Sequence, residues 1–266
     1  MRAGSRVAAG LALAAAFVLP AAAEGPSRTY AQELADRTVA ATPGLLAMQV
    51  TSPKMKDGMI VASRDAASSG ADRFELELHD VVGEKIGTLG LTLARENVTD
   101  RIALENRAAG IRDALARRIL NASNLLDPYP FEPGAATKTR AQKLVDELQA
   151  SNPDLLVLAL RAPPRGARDM VVLGSTFGRH GKKADADDLK VLESPEPRTG
   201  IYAGGKRFGA DLQLRDGVGK PIGTLNVGYA FRQGDDEKAL LRKAERLRDD
   251  LASRIPSVDR LDELDP

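Results

Sequence analysis

The sequence of 266 residues contains no cysteine and no tryptophan. Without cysteine there is no disulfide framework, no thiolate nucleophile and no thiolate metal site. Histidine is reduced to His79 and His180. Ser63 and Ser175 stand at strand ends without the residue pattern of a catalytic triad, so no catalytic residues and no enzyme are expected. An excess of charge of one sign is also missing: of 38 basic residues, setting aside Arg2 and Arg6 of the leader leaves 36 against 37 acidic ones. So small a net charge gives neither a nucleic acid nor an anionic membrane surface an electrostatic footprint. After residue 23 no stretch is apolar enough to span a bilayer, so no membrane insertion is expected downstream and any signal would pass by contact.

The first 23 residues read as a cleavable signal peptide. Arg2 and Arg6 form a basic start, residues 7–19 an apolar run, and Ala21-Ala22-Ala23 an A-x-A site before Glu24. Pro20 interrupts the run short of the roughly 20 residues a membrane span needs. The Ala and Arg richness points to bacterial export, and the expected location is periplasmic or secreted.

What is present is a duplication. Glu75-Leu76-Glu77-Leu78-His79-Asp80-Val81-Val82-Gly83-Glu84-Lys85-Ile86-Gly87-Thr88-Leu89 returns as Asp211-Leu212-Gln213-Leu214-Arg215-Asp216-Gly217-Val218-Gly219-Lys220-Pro221-Ile222-Gly223-Thr224-Leu225. Each version is an alternating strand, an Asp-x-x-Gly turn and a second strand, the pattern of an antiparallel hairpin. Asp supplies a side-chain acceptor for the turn and Gly supplies positive φ. Upstream, Thr29-x-x-Gln32 and Thr139-x-x-Gln142 each open an amphipathic helix with a capping-box pattern. A first strand follows near residues 45–50 and 155–161, then a short apolar strand at residues 59–63 and 171–175, whose uniform Met, Ile and Val content predicts a central, doubly covered position. Each copy closes with a helix whose apolar residues keep one spacing: Leu104, Ala108, Ile111, Leu115 and Ile119 in the first, Leu240, Ala244, Leu247, Leu251 and Ile255 in the second.

These landmarks divide the chain into repeat 1 (residues 27–126), a Pro-rich linker (127–136), expected to be stiff and extended, and repeat 2 (137–262). Repeat 2 carries about 24 more residues than repeat 1, all in an insertion over 176–208. There, residues 184–192 read as a short helix with acidic first-turn residues, and Thr199-Gly200-Ile201-Tyr202-Ala203 as an extra strand. The expected fold class is α+β, with two tandem domains, each an antiparallel sheet of four to five strands flanked by N- and C-terminal helices.

This order of elements resembles the Cache family of extracytoplasmic PAS-like sensor domains. The resemblance rests on Val172-Leu173-Gly174-Ser175 before the insertion and Leu212-x-Leu214-x-Asp216-x-x-Gly219-x-x-Ile222-Gly223 after it. Repeat 2 matches over roughly its whole length, including a lid-like stretch over 178–192; repeat 1 matches in its helices and hairpin and lacks the lid. The resemblance implies a small-molecule pocket between the sheet and the lid in repeat 2, binding an amino acid, a carboxylate or another small metabolite. Most members carry a C-terminal transmembrane helix and signalling domain, and neither is expected within these 266 residues.

Within the insertion, Arg179, His180, Lys182 and Lys183 form a basic cluster beside Gly178 and Gly181, a composition suited to holding an anion. Arg198 and Tyr202 stand at its far end, a guanidinium to pair a carboxylate and a phenol to close the pocket wall. Asp185, Asp187 and Asp188 lack the central Gly and twelfth-position Glu of a calcium loop, so neither a metal nor any other cofactor is expected. The expected function is a periplasmic binding protein for a small anionic metabolite, passing ligand state to a membrane partner. The alternative is a ligandless periplasmic adaptor for a membrane sensor or transporter.

Overall fold

A computed structural model of the protein describes residues 28–55, 60–64, 70–95, 101–132, 134–135 and 137–264. The expected signal peptide lies outside these residues. The chain is α+β with two antiparallel sheets. In repeat 1, α1 (Tyr30–Ala41) leads into β1 (Leu45–Thr51), β2 (Ile60–Ser63), β3 (Ala71–His79) and β4 (Lys85–Ala94), and α2 (Arg101–Ala116) closes the unit. Repeat 2 runs through α3 (Arg140–Ser151), β5 (Leu155–Ala162), β6 (Val171–Ser175), α4 (Ala186–Glu193), β7 (Arg198–Tyr202), β8 (Arg207–Arg215), β9 (Pro221–Ala230) and α5 (Glu237–Ser253). The strand orders are β2-β1-β4-β3 and β6-β5-β9-β8-β7. The sheets match strand for strand except for β7, which the insertion supplies. No helix among the described residues is long and apolar enough to cross a membrane.

The two hairpins are built alike at the level of single bonds. Asp80 Oδ1 accepts from the backbone N–H groups of Val82 and Glu84, both at 3.0 Å. Asp216 Oδ1 accepts from Val218 at 3.1 Å and Lys220 at 2.9 Å. Both carboxylates are buried, and Gly83 and Gly219 hold the left-handed conformation at φ 80° and 83° that the turn requires. Thr29 and Thr139 cap α1 and α3 by accepting from the N–H groups of Gln32 and Gln142. The reciprocal half of the expected capping box is not made. Gln142 instead turns inward to Asp146 and the Ser175 carbonyl, which ties α3 to the end of β6.

β2 and β6 are edge strands, not central ones. For β6 the reason is local: the segment after it folds back and bonds to it, with Val172 N–H donating to the Lys182 carbonyl at 3.0 Å and Ala184 N–H to that of Met170 at 2.8 Å. A loop therefore covers the edge that an apolar strand needs covered. Each sheet packs one face against its own helices, giving one core around Leu45, Leu89, Leu91 and Leu104 and another around Leu158, Leu160, Leu225 and Leu251.

The segment between the repeats is packed down rather than extended freely. Tyr30 N–H donates to the Asp127 carbonyl at 2.8 Å, Tyr129 N–H to that of Arg28 at 2.7 Å, and Phe131 N–H to that of His180 at 2.9 Å. The hairpin turn of repeat 1 lands on the second sheet, where Val81 and Leu120 pack against Val157, Ala159 and Phe177. The repeats thus share a small apolar seam.

Candidate functional site

The six residues expected to bind a ligand do not converge. Arg179, His180, Lys182 and Lys183 follow β6, whereas Arg198 and Tyr202 bound β7, the opposite edge of the same sheet. Folding also brings most of the cations to acids. Arg179, with φ 66°, donates to the Asp127 carboxylate at 2.7 Å. Lys183 pairs with Asp169 at 3.1 Å, which raises its ammonium pKa. Arg198 donates to the Asp187 carbonyl at 2.9 Å. Tyr202 lies over Gly209, with the Arg207 guanidinium 5.3 Å from its ring centre. Lys182 gives its carbonyl to β6. Lys183 borders a cleft beside α4 with Leu189, Leu192 and Ile222, and His180 turns into a separate cavity together with groups from distant parts of the chain.

Side chains fill part of the space around α4, where the lid pocket was expected, and leave a cleft of about 620 Å³ beside it, lined by Met170, Lys183, Leu189, Leu192 and Ile222. Val191 is buried there, Arg161 pairs with Asp188 at 3.2 Å, and Gln213 donates to the Leu192 carbonyl at 3.1 Å. The acids of α4 are accounted for by its own start, since Asp185 accepts from the N–H groups of Asp187 and Asp188 while the Asp188 carboxylate accepts from that of Asp185. Among the described residues no group of three or more His, Asp or Glu is placed to hold a metal ion.

A cleft of about 550 Å³ lies elsewhere, between α1, α2 and the His180 loop. α1 packs on β1 and β2, and α2 on β3 and β4, so the helices lie side by side on one face of the first sheet. Leu34, Arg37, Thr38 and Ala41, at the i, i+3, i+4, i+7 spacing of one helical face, form one wall. Arg107, Gly110, Ile111, Ala114 and Leu115 form the other. The Tyr30 hydroxyl donates to the Arg118 carbonyl at 2.9 Å, placing the start of α1 beside the end of α2. From that closed end to Ala41 the wall runs about 16 Å at 1.5 Å per residue.

The electrostatics of the cleft are one-sided. Arg37, Arg107 and Arg118 line it and, among the described residues, no carboxylate does. Arg118 bonds Asp146 at 2.8 Å from outside the lining, and Glu33 lies 3.7 Å from Arg37. Arg107 donates to the Pro43 carbonyl and has no carboxylate partner among the described residues.

At the closed end the hydrogen bonds fix the state of His180. Gln142 Oε1 accepts from Ser175 N–H at 2.9 Å and lies 2.7 Å from His180 Nε2, so the network assigns the imidazole proton to Nε2. Nδ1 is then a bare acceptor, buried and without a partner among the described residues. Burial lowers the His180 pKa to about 4, helped by Arg37 and Arg118 and opposed by Asp146. Tyr129 stands edge-on to the imidazole with ring centres 5.6 Å apart. Its hydroxyl lies near Thr137 but in alignment with no acceptor, and burial raises its pKa. Gly178 completes this end, because a Cβ there would fall 2.6 Å from the Tyr30 ring.

Compared with models of known protein families the sequence matches none, and it has no significant similarity to any curated protein.

Proposed function

We propose that the chain is an exported small-molecule binding protein of the PAS-like, Cache-like kind, and that its ligand is an anion seated in the cleft between α1, α2 and the His180 loop. The observation that carries this reading is the lining itself: three guanidinium groups, an apolar wall and no acid. Such a lining favours a partly apolar anion. Because both repeats border the cleft, an occupied site ties them together, and a membrane partner touching both senses the difference.

The test is a thermal-shift and calorimetric screen of the full chain against carboxylates, amino acids and polyamines. Carboxylates are expected to raise the melting temperature, and Arg37→Ala to weaken their binding about tenfold, since a charge-assisted bond contributes roughly 1.5 to 3 kcal/mol. Preferential binding of polyamines sinks the proposal. The direct contacts that tie α4 to the sheet through Val191, Asp188 and Leu192 favour a second reading, a ligandless adaptor that presses its paired domains on a membrane sensor or transporter. No response to any compound in the screen, with a direct interaction with such a protein, is its signature.

A further inference from the structure

Repeat 2 serves as an internal control for the cleft. α1 and α3 correspond at a separation of 110 residues, and α2 and α5 at one of 136, so Arg37 matches Glu147, Gly44 matches Asp154, Arg107 matches Lys243 and Arg118 matches Arg254. In repeat 2 these positions form two ion pairs, Glu147 with Arg254 and Asp154 with Lys243. In repeat 1 both acids are gone and both cations remain. Arg107 lies against Gly44, where a Cβ would be 3.2 Å from its guanidinium, and Arg37 adds a third positive charge. The volume changes point the same way: Thr38, Gly110 and Ala114 stand where repeat 2 has Leu148, Arg246 and Asp250. A Cβ on Gly110 would meet nothing within 4 Å. Repeat 1 has therefore lost the acids and the bulk that close the same groove in repeat 2.

We infer that the ligand is a carboxylate with an elongated apolar body, its acid held between Arg37 and Arg118, where repeat 2 carries the Glu147 carboxylate, and its body lying along Leu34, Ile111 and Ala114 over Gly110. This rests on the cleft reading above and specifies the ligand class. Glu33 and Asp146 offset part of the charge of Arg37 and Arg118 from outside the lining, and a ligand acid between the two guanidinium groups adds a counter-charge within it. Asp146 occupies one nitrogen of Arg118, and a guanidinium has further N–H donors to offer. The apolar wall selects against acetate-sized anions, whose burial removes little apolar surface from water. The free cation of Arg107 at the open end selects against a ligand with a positive tail.

The experiment is calorimetric titration of the full chain with octanoate, acetate and octylamine, in wild type and in Arg37→Glu and Gly110→Leu. Octanoate is expected to bind at least tenfold more tightly than acetate, with octylamine weaker than either. Arg37→Glu installs the acid that repeat 2 has at this position. It is expected to weaken octanoate about tenfold or more in a chain that still folds, the new pair with Arg118 offsetting part of the loss of the Arg37 pair with Glu33. Gly110→Leu, which blocks the apolar track without touching a charge, is expected to do the same to octanoate and to leave acetate alone. Equal binding of acetate and octanoate, or full octanoate affinity in either folded variant, overturns the ligand class while the cleft still binds anions. Absence of binding by any anion overturns the cleft reading itself.

Discussion

His180 Nε2 lies 2.7 Å from Gln142 Oε1, a contact that fixes the tautomer of an imidazole kept neutral by its burial beside Tyr129. Its pKa of about 4 stands below the ordinary 6.5, so the unfolded chain takes up the proton first as pH falls. Stability is unaffected above about pH 6.5 and declines between there and pH 4, by a total of about 3 kcal/mol. Comparing the urea unfolding free energy of wild type with His180→Asn across that window is expected to show a steeper loss in wild type. Parallel curves would mean that His180 does not titrate as its burial requires.

Gly178 and Gly219 both have positive φ, at 74° and 83°, but only Gly178 has the Tyr30 ring against it. Gly219→Ala is expected to cost about 1 kcal/mol from backbone strain alone. Gly178→Ala adds overpacking and is expected to cost about 2 to 4 kcal/mol. Equal denaturation midpoints for the two variants would contradict the close packing of Tyr30 on the second repeat.

The Asp80 and Asp216 carboxylates each hold two backbone N–H groups in a buried turn. Replacing either with Ala is expected to cost about 2 to 3 kcal/mol, since two donors lose their acceptor. Chemical denaturation of the two single variants checks this, and a difference between them above about 1.5 kcal/mol would show that the turns are not equivalent in energy.

Arg198 and Tyr202 lie on the edge strand farthest from β6, and Arg198 is engaged with Asp187. Arg198→Ala and Tyr202→Ala are expected to change octanoate affinity less than about twofold, against about tenfold for Arg37→Ala. Loss of affinity in the Arg198 and Tyr202 variants would move the site back toward the α4 side of the sheet.

The elements of both repeats were legible because each is specified locally. Alternation wrote β3 and β8, the Asp-x-x-Gly turns wrote the hairpins, and Leu104, Ala108, Ile111 and Leu115 wrote the buried stripe of α2. The site was not legible in the same way. Arg179 looked free in sequence because its acid, Asp127, lies 52 positions upstream, and β6 looked central because the loop that covers it reads as a polar segment. The cleft walls, Arg37, Thr38, Arg107 and Gly110, read as ordinary solvated helix faces. The signal that marks them is a comparison between the repeats, where Glu147 and Asp154 stand opposite Arg37 and Gly44, and it acquires meaning only once the helices are known to face each other.

In both repeats the beginning and the end of the unit are bonded to each other, Thr29 bridging Pro128 and Thr139 bridging Leu264. Tyr30 N–H meets the Asp127 carbonyl at 2.8 Å, and Arg140 N–H meets that of Glu263 at 2.9 Å. A unit closed in this way behaves as a cassette. A host backbone interrupted between two neighbouring residues needs to open by little more than a strand spacing of about 4.8 Å to accept it. For protein engineering, the paired ends of each repeat are the natural place for a connecting loop, and a circular permutant made there leaves every strand pairing of that repeat intact.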